Sequence, residues 1–212
     1  MNYRLLVIAC ISMVSGVSGA LQASSLGQTI VTLDVDSRVN ALEFDRDGKS
    51  LIAACGQFVG LLQEPRPGHV VLWDLRSRKA RLDFDAHADG VSCVHFLNNG
   101  ETFVTGSYDG EVKWWNSMTG ANLGVLNPKI GAILSLAVSS NGKQIVLGGW
   151  SGNQENMHSF AVCDLPSRKV IGTVPAHQDA VSSVLFLRDD RYDSGILTLF
   201  NRFSRLIKVS EG

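Results

Sequence analysis

The chain has 212 residues, of which 45% are hydrophobic and 18% are charged, and its formal net charge is -1 at pH 7. This length is enough for a sizeable core in one or two domains. The near-neutral charge excludes a strongly basic or acidic protein, so we expect neither nucleic acid nor an anionic membrane as a partner.

Residues 1–20 differ in composition from the rest of the chain. They contain one positive charge at Arg4, the apolar run LLVIACISMV, and small residues at Ser18 and Ala20. This order is typical of a secretory signal peptide, and the run is too short for a membrane-spanning helix. We therefore expect an exported protein, periplasmic or extracellular, with no membrane insertion after the signal is removed.

Three cysteines follow the predicted signal peptide, at Cys55, Cys93 and Cys163. Each lies inside an apolar stretch, and no C-x-x-C or C-x-x-C-H motif indicates a thiol redox site or covalent haem attachment. We interpret them as buried free thiols, which pack like small apolar side chains. The histidines show no metal-ligand spacing, so we predict no metal and no cofactor.

An internal repeat determines the expected fold. Alternating apolar residues, the period of a half-buried β-strand, begin at four positions: Val39, Val91, Ile133 and Val181. Each stretch leads through a turn to a second apolar run, then to a third strand, and in three units to a fourth. A late position of the third strand, Trp73, Trp115 or Cys163, lies 18 residues before the next start each time.

Four short strands in about 42 residues are the signature of a propeller blade. We predict an all-β protein in which residues 21–212 form a β-propeller of about four blades, each a four-stranded antiparallel sheet. The blade units cover residues 39–85, 87–128, 130–175 and 177–212, the last completed by strand 28–33. Pairing that strand with the last unit would remove two unpaired edges.

Three outcomes of this arrangement stay open. The chain closes alone as a small four-bladed ring, two copies associate as a homodimer into a larger ring, or the chain is a truncated partial propeller. Four blades are the lower bound for propellers.

The stretches VVLWDL and DGEVKWWN resemble the WD-repeat β-propeller family, over roughly residues 25–190. The Gly-His pair usual in that family appears as Ala-His at His87 and His177. Asn116 replaces the Asp of the WD pair, and Cys163 and Ser210 replace the Trp. With its enlarged loops the chain is similar to exported bacterial WD-repeat proteins, some of which carry a c-type cytochrome domain; no haem motif occurs here.

The resemblance also implies a structural role for one set of polar residues. In the family a histidine, a hydroxyl, an aspartate in a tight turn and a tryptophan form a hydrogen-bonded set. The matching residues of the second unit are His87, Thr105 or Ser107, Asp109 and Trp115. Buried polar groups are costly unless they satisfy one another. A hydrolytic triad would instead need an exposed serine beside an oxyanion hole, so we predict no catalytic residues.

The connections between second and third strands are enlarged in two units, at residues 56–68 and 149–159. Long loops on a rigid scaffold are common binding sites. Their side chains suited to an interface are Phe58, Leu61, Leu62, Arg66, Trp150 and Asn153. The apolar ones either bind a partner or fold back on their own blades.

From these features we predict a non-catalytic interaction scaffold that binds a protein partner through the two enlarged loops. Two alternatives remain. The chain is a propeller enzyme or small-ligand binder with a central pocket, or it is a truncated remnant of a larger propeller protein. The sequence shows no convergent set of carboxylates for a central pocket, which favours the scaffold.

Overall fold

The structure is a computed structural model. It describes residues 3–7, 31–35, 37–58, 66–97, 100–151, 158–177, 180–189, 192–200 and 203–208. The chain divides into two compact units, Met1–Arg38 and Val39–Gly212. Across the described residues we find no helix with the length and apolar character needed to span a bilayer.

The first unit contains a two-stranded antiparallel sheet of β1 (Tyr3–Val7) and β2 (Val31–Val35). Leu5 is the register partner of Leu33. Leu33 and Val35, which lie on the same face of β2 because side chains alternate along a strand, are both buried.

The second unit is built from antiparallel sheets of consecutive strands. Sheet 1 comprises β3 (Val39–Phe44), β4 (Ser50–Cys55), β5 (Gly68–Asp74) and β6 (Lys79–His87). Sheet 2 comprises β7 (Val91–Leu97), β8 (Thr102–Ser107), β9 (Val112–Asn116) and β10 (Asn122–Leu126). Sheet 3 comprises β11 (Ala132–Val138), β12 (Gln144–Trp150), β13 (His158–Asp164) and β14 (Lys169–His177). Sheet 4 has three strands, β15 (Ser183–Asp189), β16 (Tyr192–Phe200) and β17 (Phe203–Lys208).

The prediction of an all-β chain with four-stranded antiparallel sheets is confirmed. Within the described ranges no strand pairing joins sheet 4 to sheet 1. The number of blades and the closure of a ring therefore stay predictions.

Residues 28–33 were expected to complete the last blade, and residues 28–30 lie outside the described part of the chain. The remainder belongs to β2, where Val31–Val35 pairs with Tyr3–Val7, and sheet 4 has three strands in its described residues. Apolar alternation indicates that a segment is a strand without specifying the edge it joins. Tyr3–Val7, which we assigned to a removable signal peptide, is an apolar strand of the same length and provides the partner.

Consecutive sheets pack face to face. Side chains alternate along a strand, so adjacent tryptophans of β9 point to different cores: Trp115 packs between sheets 1 and 2, and Trp114 packs between sheets 2 and 3. The fully buried side chains of these two cores include Ile52, Leu72, Phe103, Ile133 and Leu147. Each such side chain contributes about 1.5–3 kcal/mol relative to an exposed one.

The turns between third and fourth strands explain why Asn116 can replace an aspartate. Asp74, Asn116 and Asp164 occupy the equivalent position in sheets 1, 2 and 3. In each, Oδ1 accepts a hydrogen bond from the backbone N–H three residues later, at 2.7, 2.9 and 2.8 Å. An amide oxygen and a carboxylate oxygen both serve this purpose, because asparagine and aspartate side chains alike hydrogen-bond the backbone ahead of them in turns.

The cysteines Cys55, Cys93 and Cys163 are buried free thiols, which confirms that prediction. Burial raises the pKa of the Cys93 thiol to about 11 and that of Cys163 to about 11. Burial, with a smaller effect from the charge of Asp83, raises the pKa of Cys55 to about 12. All three are therefore packed as apolar groups rather than as reactive thiolates.

Candidate functional site

His87 lies at the end of β6, and its side chain is 0% exposed. Its Nδ1 atom lies 3.0 Å from Asp109 Oδ2, and its Nε2 atom lies 2.7 Å from Thr105 Oγ1. The indole N–H of Trp115 donates to the same hydroxyl oxygen at 2.8 Å. The last strand of sheet 1 is thus joined to two positions of sheet 2, Thr105 and Asp109, by polar groups that satisfy one another.

The structure distinguishes between the two candidate hydroxyls. Thr105 lies between His87 and Trp115. The hydroxyl of Ser107 instead lies 2.9 Å from the carbonyl oxygen of Asp89 and 3.0 Å from that of Gly90. Ser107 therefore fixes the connector between sheets 1 and 2 rather than the imidazole.

Asp109 sits in the turn between β8 and β9 and accepts several hydrogen bonds. Burial acts to raise the pKa of its carboxyl group. The hydrogen bond and charge of His87, with the backbone N–H groups of Glu111 and Ala88, outweigh burial, so the pKa of Asp109 is lowered. The carboxylate form is therefore the one that this environment stabilises.

Thr105, His87 and Asp109 have the connectivity of a nucleophile, a base and an orienting acid, but the nucleophile is inaccessible. Thr105 is 0% exposed, and its hydroxyl oxygen already accepts the Trp115 indole N–H. A substrate carbonyl would have to contact that oxygen beside an oxyanion hole. The arrangement is that of a structural clamp between two sheets.

His87, Asp109 and Glu111 are the group of potential metal ligands within the described part of the chain, with ligand atoms within 4.8 Å of one another. Both nitrogens of His87 contact protein atoms, and Glu111 Oε2 lies 3.3 Å from Lys113 Nζ. Internal partners account for the positions of all three side chains.

At the end of the strands where β8 turns into β9, three aromatic side chains meet. These side chains, here called the aromatic cluster, are Phe58, Tyr108 and Trp150. Phe58 and Tyr108 lie in the second-to-third-strand connections of sheets 1 and 2, and Trp150 is the last residue of β12 in sheet 3. The ring centroids of Phe58 and Tyr108 are 5.2 Å apart, and those of Phe58 and Trp150 are 5.5 Å apart. The ring planes of Phe58 and Trp150 are nearly perpendicular, at 84°. Such tilted and edge-to-face contacts are favourable geometries for aromatic pairs. Phe58 is 38% exposed.

The backbone beneath the aromatic cluster is tightly held. A Cβ atom on Gly90 would lie 2.9 Å from the backbone nitrogen that follows Gly56 and 3.1 Å from Tyr108 Cδ2, so only glycine permits this approach. The side-chain amide of Asn40 donates to the carbonyl oxygens of Gly56 and Val91, both at 2.8 Å. The cluster therefore stands on a fixed base rather than on free loops.

The structure places the predicted interface residues as follows. Phe58 and Trp150 are brought together, and Phe58 also contacts Tyr108 of sheet 2. Arg66 is exposed. The residues that lie outside the described part are Leu61, Leu62 and Asn153.

Tyr108 was missed by sequence reasoning. The interface residues were sought in the enlarged connections, and the connection of sheet 2 that carries Tyr108 is short. The available signal was its position, because it lies just after the second strand of its unit, as Phe58 does in sheet 1, and Trp150 ends the second strand of sheet 3.

Sequence reasoning also missed a group of polar side chains on the third and fourth strands of sheet 1. The imidazole of His69 on β5 contacts the carboxylates of Asp83 and Asp85 on β6, with Nδ1 3.1 Å from Asp85 Oδ1. The cross-strand register places His69 opposite Asp85. Both carboxylates are mostly exposed, so the group forms an acidic edge of this sheet.

Comparisons with known proteins agree with this geometry. Residues 78–116 match the family described as "WD domain, G-beta repeat", a segment that contains His87, Thr105, Asp109 and Trp115. Autophagy-related protein 16 of Arabidopsis thaliana is 31% identical over 99 residues, which are 47% of this chain and 18% of that protein. The chain thus matches less than a fifth of that curated relative.

Two solved structures share the fold. A computationally designed protein, Ika4, has a TM-score of 0.63 at 20% identity, over 83% of this chain and 94% of its own. The structure of U3-55K has a TM-score of 0.65 at 16% identity, over 82% of this chain and 50% of its own. These two similarities concern the fold alone, and the resemblance to a WD repeat is carried by residues 78–116. The exported bacterial type stays a prediction.

Proposed function

We propose that the chain is a non-catalytic interaction scaffold that binds a protein partner through the aromatic cluster. WD repeats suggest a protein-interaction scaffold. The observation that carries the proposal is that three consecutive sheets each supply one aromatic side chain to a single cluster, in which Phe58 is exposed and Tyr108 and Trp150 are half-buried. Aromatic anchors on rigid backbone are the residues that dominate protein interfaces.

The arrangement of the rings favours an apolar side chain of the partner. Phe58 contacts both Tyr108 and Trp150 directly, so no gap remains between these rings for a cation. The exposed face is therefore a platform rather than a cage. A leucine, methionine or proline side chain of a partner would bury it and gain about 25 cal/mol for each Å² of apolar surface removed from water.

The scaffold is proposed to be non-catalytic because the most triad-like group in the described residues is occupied internally. Thr105 and the side chain of His87 are inaccessible, and their hydrogen bonds join two sheets. The alternative of a propeller enzyme or small-ligand binder with a central pocket has no support among the described residues.

The experiment places the photo-crosslinking residue p-benzoylphenylalanine at Phe58. Crosslinked proteins are identified by mass spectrometry, and the purified partner is then titrated by calorimetry. Tyr108→Ala should weaken binding by about tenfold or more, as loss of an aromatic anchor does. The thermal midpoint should change little, because the cluster lies outside the sheet cores.

The matched control is Ile171→Ser on the outer strand β14, where the side chain is 59% exposed and apart from the aromatic cluster. It should leave affinity unchanged. Equal losses from both variants would contradict the assigned surface, and a large fall in stability for Tyr108→Ala would show that the cluster is core. Sedimentation equilibrium of the chain alone tells whether the partner is a second copy, as in the predicted dimer.

We also propose that residues 1–20 direct export and are removed. The support is the order of Arg4, an apolar run and small residues at Ser18 and Ala20. The intact mass of the protein recovered from each cell fraction tests this proposal. A mature chain that still begins at Met1 outside the cell, or that never leaves it, would overturn the proposal.

A further inference from the structure

A cleft of about 330 Å³ lies between sheets 2 and 3. The cleft lies at the end of the strands where the first strand of each sheet turns into the second and the third turns into the fourth. The aromatic cluster lies at the opposite end of the strands. Its lining residues are Leu97, Thr102, Trp114, Leu123, Gly142, Leu165, Pro166 and Arg168. The walls are mainly apolar, and Arg168 is the charged side chain among them.

The other interface of sheet 2 shows how this cleft arises. Gly120 and Arg168 occupy the same turn position of sheets 2 and 3, with φ of 71° and 56°. The turn at Gly120 packs closely on sheet 1, because a Cβ atom there would lie 3.4 Å from Leu82 and 3.7 Å from Phe84. At the interface between sheets 2 and 3, the long side chain of Arg168 takes the place of glycine, and a cleft is present.

Arg168 reaches across this interface to sheet 2. The centre of its guanidinium group lies 5.4 Å from the centroid of the Trp114 ring, a cation–π geometry. One Nη1–H donates to the carbonyl oxygen of Leu123. These contacts hold the cation at the cleft and use one of its five N–H donors.

Among the described residues, the positive charge of Arg168 has no carboxylate partner. The ion pairs found in the described ranges do not include it. Asp164, on the same turn, accepts hydrogen bonds from the backbone N–H and hydroxyl of Ser167. The interface is also incompletely satisfied here, because the indole N–H of Trp114 is buried without an acceptor in the described residues.

We propose that this cleft binds a small organic carboxylate with an apolar body. The carboxylate pairs with the free N–H donors of Arg168, whose planar fork matches two carboxylate oxygens. The apolar body lies against Leu97, Leu123 and Leu165. The volume lies at the small end of the range for ligand pockets, which suits a small molecule rather than a folded partner.

The test is calorimetric titration of the full chain with octanoate, with 1-octanol as the uncharged counterpart of the same chain length. Octanoate should bind at least about tenfold more tightly than octanol, the effect of one charge-assisted pair. Arg168→Gln should remove that preference and leave octanol binding unchanged. Leu123→Asp, at a position that is 40% exposed, should weaken octanoate by repulsion while the chain stays folded.

The matched control is Arg78→Gln, which changes the equivalent turn residue of sheet 1, at φ 58°, and should leave octanoate affinity unchanged. Equal affinity for octanoate and octanol would overturn the proposal. So would octanoate binding that survives Arg168→Gln, or that Arg78→Gln reduces as much. Absence of octanoate binding at millimolar concentration would overturn it as well.

Discussion

At the scale of single residues, Asp109 makes the most hydrogen bonds in the structural clamp that it forms with His87, Thr105 and Trp115. It accepts hydrogen bonds from His87 and from backbone groups on both sides of the interface between sheets 1 and 2. Asp109→Ala leaves the buried imidazole without its partner at Nδ1, which costs about 1–3 kcal/mol. The free energy of unfolding in urea measures the loss. Asp47→Ala, in an exposed turn, is the control and should be neutral.

The same residue predicts how stability depends on pH. The pKa of Asp109 is lowered in the folded chain, whereas an unfolded aspartate titrates near about 3.9. Its contribution is therefore complete above the unfolded pKa and is lost as the pH falls through the folded pKa. The stability difference between wild type and Asp109→Asn should be constant from about pH 7 to about pH 5 and should shrink below about pH 4. A difference that grows in acid would contradict the assigned ionisation.

At the scale of strands and sheets, the close contact between sheets 2 and 3 depends on a glycine. A Cβ atom at Gly106 of β8 would lie 2.6 Å from Ile133 Cγ2 and 2.7 Å from Cys93 Sγ. Gly106→Ala should therefore destabilise the chain by about 1–3 kcal/mol through overpacking, read from the midpoint of urea unfolding.

Gly172 of β14 offers the matched control, since nothing lies within 4 Å of a Cβ atom there. Gly172→Ala removes the conformational freedom of glycine from the unfolded chain without a clash, so it should be neutral or slightly stabilising. Equal destabilisation by the two substitutions would mean that strand propensity, rather than the packing of sheet 2 on sheet 3, sets the effect.

The strands could be predicted from the sequence more readily than the contacts between sheets. The alternation beginning at Val39 and Val91 coincides with the first residues of β3 and β7, while β15 begins at Ser183, two residues after the expected start. Alternation reports which residues face a core. The meeting of Phe58 with Trp150 depends on how three sheets are placed, and no local pattern encodes that.

At the scale of the whole molecule, the sequence left the partner of one strand undetermined. Alternating apolar residues predicted a strand at residues 28–33, which we expected to pair with the tail, but alternation does not specify the edge that a strand joins. The structure pairs Val31–Val35 with Tyr3–Val7. Removal of residues 1–20 would take away that partner and leave an unpaired edge, which strands tend to satisfy elsewhere. The proposed removal of residues 1–20 and the pairing of Val31–Val35 with Tyr3–Val7 therefore exclude each other.

Engineered disulfides test this pairing directly. Leu5 and Leu33 are register partners, and opposite residues of an antiparallel pair have Cα atoms within the range that a disulfide spans. The double variant Leu5→Cys/Leu33→Cys should therefore oxidise readily in the full-length chain, read as a shift in non-reducing electrophoresis. The native thiols are buried and should not compete.

The competing arrangement is tested by Leu33→Cys/Ile207→Cys, which would cross-link if the leading strand completed sheet 4. In a chain that begins at Leu21, the leading strand has lost Tyr3–Val7, so cross-linking to Ile207 is expected if this strand then pairs with sheet 4. A Leu5–Leu33 pair that stays reduced under oxidising conditions in the full-length chain would contradict the observed pairing with Tyr3–Val7.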